Sequence, residues 1–407
     1  MGGGAAALGG AAVRARLGSL ASRFYPNLDE VIWNRKRDKE MRAEIRAANY
    51  APLLANLPRL AEGRPSHLIV VPQEGPSWAS YRAGTRNFYY EAAQSAREIY
   101  GTEKVTVFDV EQGESAASWH ERLLALVHEV SATHIITHIE SDPSSAGESW
   151  SWDTLWSQLS PQWDGVLLGV MFDSSFRYIT LKSRRLARMS PNFMVVDICM
   201  PMDGSMRRGR PEVGPVNMPV SLESLQLLDD RLQGIEPTHD VSFIGVLYPY
   251  RAALLENLVN SGLSVAVNPH RVDQGGLGND GRTDQPGWLD YMAALRGSRM
   301  TINFSQSSAG PYEQLKTRVI EATLAGTLLL TDDRDRTRLF FAPGAEYGYF
   351  ESPQSLPSVV RGYLEDPKLL KQVAAAGHQR ALSLASTSFW AGIEAGLRQR
   401  GLPALRG

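Results

Sequence analysis

The feature that most restricts this chain is a series of short, wholly apolar runs alternating with amphipathic stretches, met twice with a break between. In the first series Leu68 to Val71, Val105 to Val110, His134 to Ile139, Gly165 to Phe172 and Phe193 to Ile198 read as strands. Helical patterns such as Thr85 to Tyr100 and Ser118 to Val130 separate them. Strands without polar alternation are covered on both faces, which means a parallel sheet between helix layers. Right-handed crossovers then make an open α/β sandwich.

A linker is expected from Pro201 to His239, after which the series restarts. Strands are expected over Val241 to Leu247, Leu263 to Val267, Met300 to Phe304, Thr327 to Thr331 and, briefly, Tyr347 to Phe350. Helices are expected over Arg251 to Ser261, Gly287 to Arg296, Gln314 to Ala325, Pro357 to Glu365 and Pro367 to Ala385. The fold class is therefore α/β, with two Rossmann-like α/β/α domains facing across a cleft. We divide the chain into a helical extension (1–62), an N-terminal acceptor domain (63–220), a C-terminal donor domain (221–385) and a last helix (386–407) able to cross back to the first domain. Leu53, Leu54, Leu57 and Leu60 give the extension its helical period.

Composition narrows the partners. The 407 residues exceed one ordinary core, and 43% hydrophobic with 21% charged residues is an ordinary globular balance. A formal net charge of −2 offers no concentrated basic surface, so a nucleic-acid partner is not expected. Arg184-Arg185 and Arg207-Arg208 with Arg210 read as a solvated helix face and a solvated loop. Cys199 is the single cysteine, which excludes an internal disulfide and a cysteine zinc site; a buried thiol in a reducing cytoplasm fits. No apolar run reaches the ~18 residues of a membrane span. Met1 to Ala12 lacks a basic signal region, and Ala6 stands where the myristoylation pattern needs Ser or Thr. Any membrane contact is expected to be peripheral.

The segment Ser305 to Gly326 carries the chemistry. It reads as strand end, polar Gly/Pro loop, helix, glycine and strand, with Glu313 and Glu321 eight positions apart. If helix begins near Glu313, two turns bring both carboxylates to one face. A helix start after a loop offers free N–H groups to a phosphate, and Lys316 and Arg318 add positive charge there. A carboxylate such as Glu321 can accept both hydroxyls of a ribose. From spacing alone, a solvated helix with Glu–Lys and Glu–Arg pairs fits equally well.

From Asp240 onward the chain resembles the CgeB-like branch of GT-B glycosyltransferases. The matching stretches are DVSFIGVLYPYR, INFSQSSAGPYEQLKTRVIEATLAGTLLLTDD, FFAPGAEYGYFESPQSL and YLEDPKLLKQVAAAGHQRAL. The resemblance implies a nucleotide-diphosphate sugar donor, with Glu321 on its ribose and Lys316 or Arg318 near the diphosphate. It also implies that Glu313 sits beside the transferred sugar. The family's Arg-x-x-Glu-Ala core stands at Arg318 to Ala322, whereas Tyr312-Glu313 replaces the Gly-Phe-Gly-type stretch of broader GT-B enzymes.

Further donor candidates are Ser305, at the head of the loop, and Gly245 with Tyr250 and Arg251, after the first strand of the second series. A Rossmann-like unit places its phosphate loop there, and Arg251 can clamp a phosphate or lie at a helix surface. Acceptor-side candidates follow strands of the first series: Trp78, Tyr81 and Arg82; His138 and Glu140; and Asp173, which either serves as a base or caps the next helix. His134 and His138 form a metal pair only if helical, and a strand is expected. Trp150, Trp152, Trp156 and Trp163 suit packing better than sugar stacking. Asp333-Arg-Asp335 follows a strand and is read as a turn rather than a metal motif. Gly275 to Gly278 lies outside a strand–helix junction, so it is no dinucleotide fingerprint.

The expected activity is transfer of a sugar from a nucleotide-diphosphate donor to a hydroxyl of a glycan, protein or small molecule, with retention and no obligatory metal or other cofactor. The alternatives are a nucleotide-sugar epimerase or hydrolase and a non-catalytic scaffold of the same fold.

Overall fold

The computed structural model describes residues 28–48, 50–55, 57, 66–71, 88–108, 110–111, 114–139, 151–172, 174, 176–202, 204, 209, 211–213, 216–269, 287–307, 312–385 and 387–406. Trp78, Tyr81, Arg82, Glu140, Trp150, Asp173, Arg207, Arg208, Arg210 and Gly275 to Gly278 lie outside the described residues.

The first apolar series forms a six-stranded parallel sheet in the order β2-β1-β3-β4-β5-β6. Its strands are β1 Leu68–Val71, β2 Val105–Val107, β3 His134–His138, β4 Val166–Met171, β5 Phe193–Asp197 and β6 Glu212–Val213. All of β1, β4 and β5 is buried, as two-sided coverage requires. The covering helices are α3 Phe88–Tyr100, α4 Ala116–Glu129, α5 Ser151–Leu159 and α6 Arg177–Met189, preceded by α1 Leu28–Ala47 and α2 Ala51–Leu54. Ser115 starts α4 by accepting the Ser118 N–H on its hydroxyl.

The second series forms a five-stranded parallel sheet ordered β11-β10-β9-β7-β8. It contains β7 His239–Phe243, β8 Val265–Val267, β9 Ser298–Asn303, β10 Leu328–Thr331 and β11 Gly348–Tyr349. Its helices are α7 Leu222–Leu232, α8 Pro249–Asn260, α9 Trp288–Arg296, α10 Arg318–Leu324, α11 Leu356–Glu365 and α12 Pro367–Ala385, and α13 Ser388–Gln399 follows. The expected linker is thus structured in part, since it contributes β6 and α7. Its polar composition hid them: β6 has two residues, and α7 buries little beyond Ser224 and Leu228.

Each sheet has an apolar core on both faces. Trp152, Trp156 and Trp163 are buried in one core of the first sheet, so their use is packing. Phe389, Trp390, Ile393 and Leu397 of α13 share the other with Val70, Ile136 and Val196. Such burial contributes about 1.5–3 kcal/mol per side chain and ties the end of the chain to the first sheet.

Helix α1 is held by charge rather than by apolar contact. Arg37, fully buried, reaches Asp153 at 3.4 Å, Glu44 at 2.8 Å and the Thr154 hydroxyl at 2.8 Å. Arg185 meets the same Asp153 at 3.4 Å and also Asp38. The expectation of a solvated Arg184-Arg185 face is therefore corrected at Arg185, which is buried between Asp153 and Asp38, the latter 147 positions away in sequence.

Candidate functional site

In the second sheet the chain runs from β7 to β8 on one side, while β9 lies on the other. The C-terminal ends of β7 and β9 therefore part around a crevice. Open parallel sheets bind ligands at such a reversal of strand order, because diverging loops leave space there.

Gly245 stands two residues beyond β7. Its φ of 147° lies in a region that side chains rarely adopt. Asn268 fixes it from both sides, accepting its N–H at 2.7 Å and donating to its carbonyl at 3.1 Å. A Cβ on Gly245 would sit 3.3 Å from Nη2 of Arg318. The missing side chain thus lets the Arg318 guanidinium lie against the loop, above the Phe243 ring at 5.4 Å. Among the described residues, no acceptor is found for its buried Nε. A buried cationic donor left unmatched is costly in an apoprotein and well used beside an anion.

Three positions on, Glu321 faces α9. The Tyr291 hydroxyl donates to its Oε2 at 2.7 Å and the Thr317 hydroxyl at 3.4 Å. Among the described residues, no hydrogen bond to Oε1 is found. Burial pushes the Glu321 carboxyl above the usual carboxylate range, countered by the Tyr291 hydroxyl, the Arg318 charge and the Thr317 hydroxyl. Burial also raises the Tyr291 phenol, with the Glu321 charge adding to it, so Tyr291 keeps its proton and donates. A carboxylate anchored through one oxygen retains the other for incoming hydroxyls.

Beside the crevice a hollow of about 250 Å³ opens at the ends of β9, β10 and β11. Tyr250, Phe304 and Phe350 supply apolar walls, and Glu313, Asp332, Arg334 and Glu351 the charges. Glu313 and Arg334 are 4.0 Å apart. Ser305 is buried and spends its N–H (3.2 Å) and its hydroxyl on Asp332, so its role is to aim that carboxylate.

The expected helix from Gln314 is corrected: α10 begins at Arg318, and Glu313 lies in extended chain bridged to Gln306. The two glutamates therefore do not share a helix face. The cause is non-local, because backbone groups of this stretch are taken elsewhere. The Gln314 N–H goes to Ser305 O at 3.0 Å and the Leu315 N–H to Cys199 O at 2.6 Å, while Glu313 O accepts from Met202 N at 2.9 Å. Cys199 itself is buried.

Arg251 is neither at a helix surface nor unoccupied. It is buried, donates to the Tyr250 hydroxyl at 2.8 Å, to Val246 O at 3.1 Å and to Gln306 O at 3.2 Å, and stacks near Tyr248. These bonds tie the loop after β7 to the loop after β9. Lys316 lines the narrow seam between the halves with Ile198, Asn217 and Phe341.

In the first sheet the strand order reverses between β1 and β3. His138 ends β3 with its ring 5.5 Å from Phe172 and 6.4 Å from Tyr89. His134 is a core histidine between the Thr133 hydroxyl (2.8 Å) and Pro403 O (3.0 Å), and burial lowers its pKa to about 4. Among the described residues, no group of His, Cys, Asp and Glu could hold a metal. Asp333 and Asp335 form a turn: Asp333 has φ 52°, and Asp335 accepts the Thr337 N–H at 2.8 Å. Asp332, Arg334, Glu351 and Tyr291 were not singled out from the sequence. Asp332 had a signal, its place directly after an apolar strand; Tyr291 had none.

Three comparisons bear on this arrangement. A family model described as glycosyl transferase-like matches residues 263–389. No curated protein sequence matches the chain. Among solved structures, Anabaena HepE in complex with UDP and glucose superimposes with a TM-score of 0.52 at 12% identity, covering 82% of this chain and 100% of that one. Sucrose-phosphate synthase from Thermosynechococcus elongatus gives 0.53 at 11% identity, covering 82% and 98%. The fold is thus α/β of the GT-B kind, two Rossmann-like domains facing across a cleft, with a helical N-terminal extension and a glycosyltransferase-like C-terminal region.

Proposed function

We propose that the protein is a glycosyltransferase that moves a sugar from a nucleotide-diphosphate donor to an acceptor hydroxyl. The observation that carries this reading is the pairing, at the reversal point of the second sheet, of an acceptor-less Arg318 Nε with a Glu321 carboxylate three residues on whose Oε1 is unclaimed among the described residues. A diphosphate beside Arg318 would have its ribose hydroxyls within the range of Glu321. The 250 Å³ hollow next to them suits the hexose, its hydroxyls facing Glu313 and Asp332 and its ring the aromatic walls. The Anabaena structure of the same fold, in complex with UDP-glucose, supports the donor class.

In the transfer, the bond between the anomeric carbon and the diphosphate oxygen breaks, and its electron pair leaves with the phosphate. The acceptor oxygen bonds to the same carbon and passes its proton to the departing diphosphate oxygen. Charge grows on the departing diphosphate, where Arg318 lowers the barrier. Arg251 acts indirectly, by holding the two loops that frame the crevice. We assign retention to the reaction, with Glu313 beside the sugar, and no obligatory metal. Asp173 is the base we would assign if the outcome were inversion. The domain division given above accompanies this reading, acceptor on the first sheet and donor on the second.

A thermal-shift panel of UDP, GDP, ADP and TDP tests the donor site first. One diphosphate should raise the melting temperature by several degrees at millimolar concentration. Incubation of the matching nucleotide sugar with and without acceptor then separates transfer from hydrolysis or epimerisation. Silence of the whole panel would point to a non-catalytic scaffold.

A further inference from the structure

Two main-chain hydrogen bonds stitch the donor segment to the first half of the molecule. Leu315 N–H donates to Cys199 O at 2.6 Å and Met202 N–H to Glu313 O at 2.9 Å. The loop that supplies both partners, immediately after β5, is not at ease: Met200 has φ 40°, a left-handed conformation that costs a side-chain-bearing residue of order 1 kcal/mol or more. Something has to hold it. That group is Asp197, the last residue of β5 and fully buried. Its Oδ1 accepts the Met200 N–H at 2.7 Å, the Cys199 N–H at 3.0 Å and the Ser174 hydroxyl at 2.9 Å. Ser174 belongs to the loop after β4. One carboxylate oxygen therefore organises the ends of two neighbouring strands and, through the loop it bends, the backbone of Glu313 to Leu315.

We propose that Asp197 is the positioning residue that registers the donor segment of the second half against the first. The backbone between Cys199 and Met202 acts as a latch on Glu313, and Asp197 sets the latch. The role rests on the transfer reaction proposed above, but the latch itself is a statement about hydrogen bonds and can be tested without it. Among the described residues Asp197 bonds Ser174, Cys199 and Met200, and its effect passes through the geometry those bonds set. Reactive geometry displaced by about 1 Å costs on the order of 100-fold in rate.

The test compares Asp197→Ala, Asp197→Asn and Ser174→Ala in the full chain by hydrogen exchange, nucleotide titration and transfer kinetics. The latch predicts that amides of Met202 and Leu315 exchange slowly in the parent and speed up together in Asp197→Ala, while those of β9 stay protected. Asn retains an oxygen for the same donors and should restore most of the protection. Given transfer activity, kcat should fall roughly 10- to 100-fold in Asp197→Ala with the dissociation constant for the nucleotide changed less than about threefold. Ser174→Ala, which removes one donor and no charge, should fold even if Asp197→Ala does not, and should loosen the same two amides to a smaller extent. Unchanged exchange at Met202 and Leu315 in Asp197→Asn and in Ser174→Ala as well as in any folded Asp197→Ala would overturn the proposal. So would a drop in kcat matched by an equal drop in folded fraction. A parent protein that binds no nucleotide would count against the proposed function and leave the exchange result standing.

Discussion

The two sheets share one architecture and place their buried charges differently. In the first half, Arg37, Asp153 and Arg185 neutralise one another behind the sheet, and His134 and His120 are buried as neutral rings. In the second half, polar groups gather at the strand ends: among the described residues Arg318 Nε has no hydrogen-bond acceptor, and the carboxylates of Glu313 and Asp332 border a hollow. Charge behind the first sheet meets fixed side chains of opposite sign. Charge at the strand ends of the second borders open space that a ligand can fill. Burial of charge is therefore uninformative until its surroundings are described.

That contrast can be broken most forcefully in the first half. Arg37→Ala leaves Asp153 with part of its charge uncompensated in the interior and should cost about 3–5 kcal/mol, read from urea denaturation, with donor affinity of the surviving folded protein unchanged. Acid should act on the same half. The folded pKa of His134 is lowered by burial to about 4 and that of His120 to about 3, below the 6.5 of an unfolded chain. The unfolded chain takes up protons first as pH falls, so stability is complete above about pH 6.5 and is lost toward pH 4, by roughly 3 kcal/mol for His134. Denaturation midpoints at pH 7, 6 and 5 measure this slope, and His134→Gln should flatten it.

Smaller effects sharpen the comparison in the second half. Arg251→Lys keeps the charge and cannot span Tyr250, Val246 O and Gln306 O together; nucleotide affinity should weaken about tenfold, some 1–2 kcal/mol, by calorimetry. Gly245→Ala adds a Cβ 3.3 Å from Arg318 Nη2 on a backbone of φ 147°. We expect about 1 kcal/mol of stability lost and a several-fold weaker donor, with the first-sheet acid slope untouched.

The sheets were legible because their strands are uniformly apolar, and the loop at Gly245 because it follows a strand. The polar residue types at the strand reversal of the second half were legible, Arg318 with Glu321 above all. What escaped was set by distant partners. No local pattern tells that Gln314 to Thr317 stays out of the helix, since Cys199 and Ser305 claim its amides. Nor does one show that Arg185 is buried, because Asp38 and Asp153 lie far along the chain. Asp332 was passed over inside an acidic turn; only the Ser305 hydrogen bonds show it aimed toward the hollow.

The most direct trial is calorimetric titration of the parent, Glu321→Ala and Glu321→Gln with the diphosphate that stabilises the parent best. The account predicts binding to the parent, a loss of at least about 30-fold in the alanine variant, roughly 2 kcal/mol, and a melting temperature within a few degrees of the parent's. Equal affinity in all three proteins would contradict it, since the ribose would then owe nothing to the carboxylate held by Tyr291.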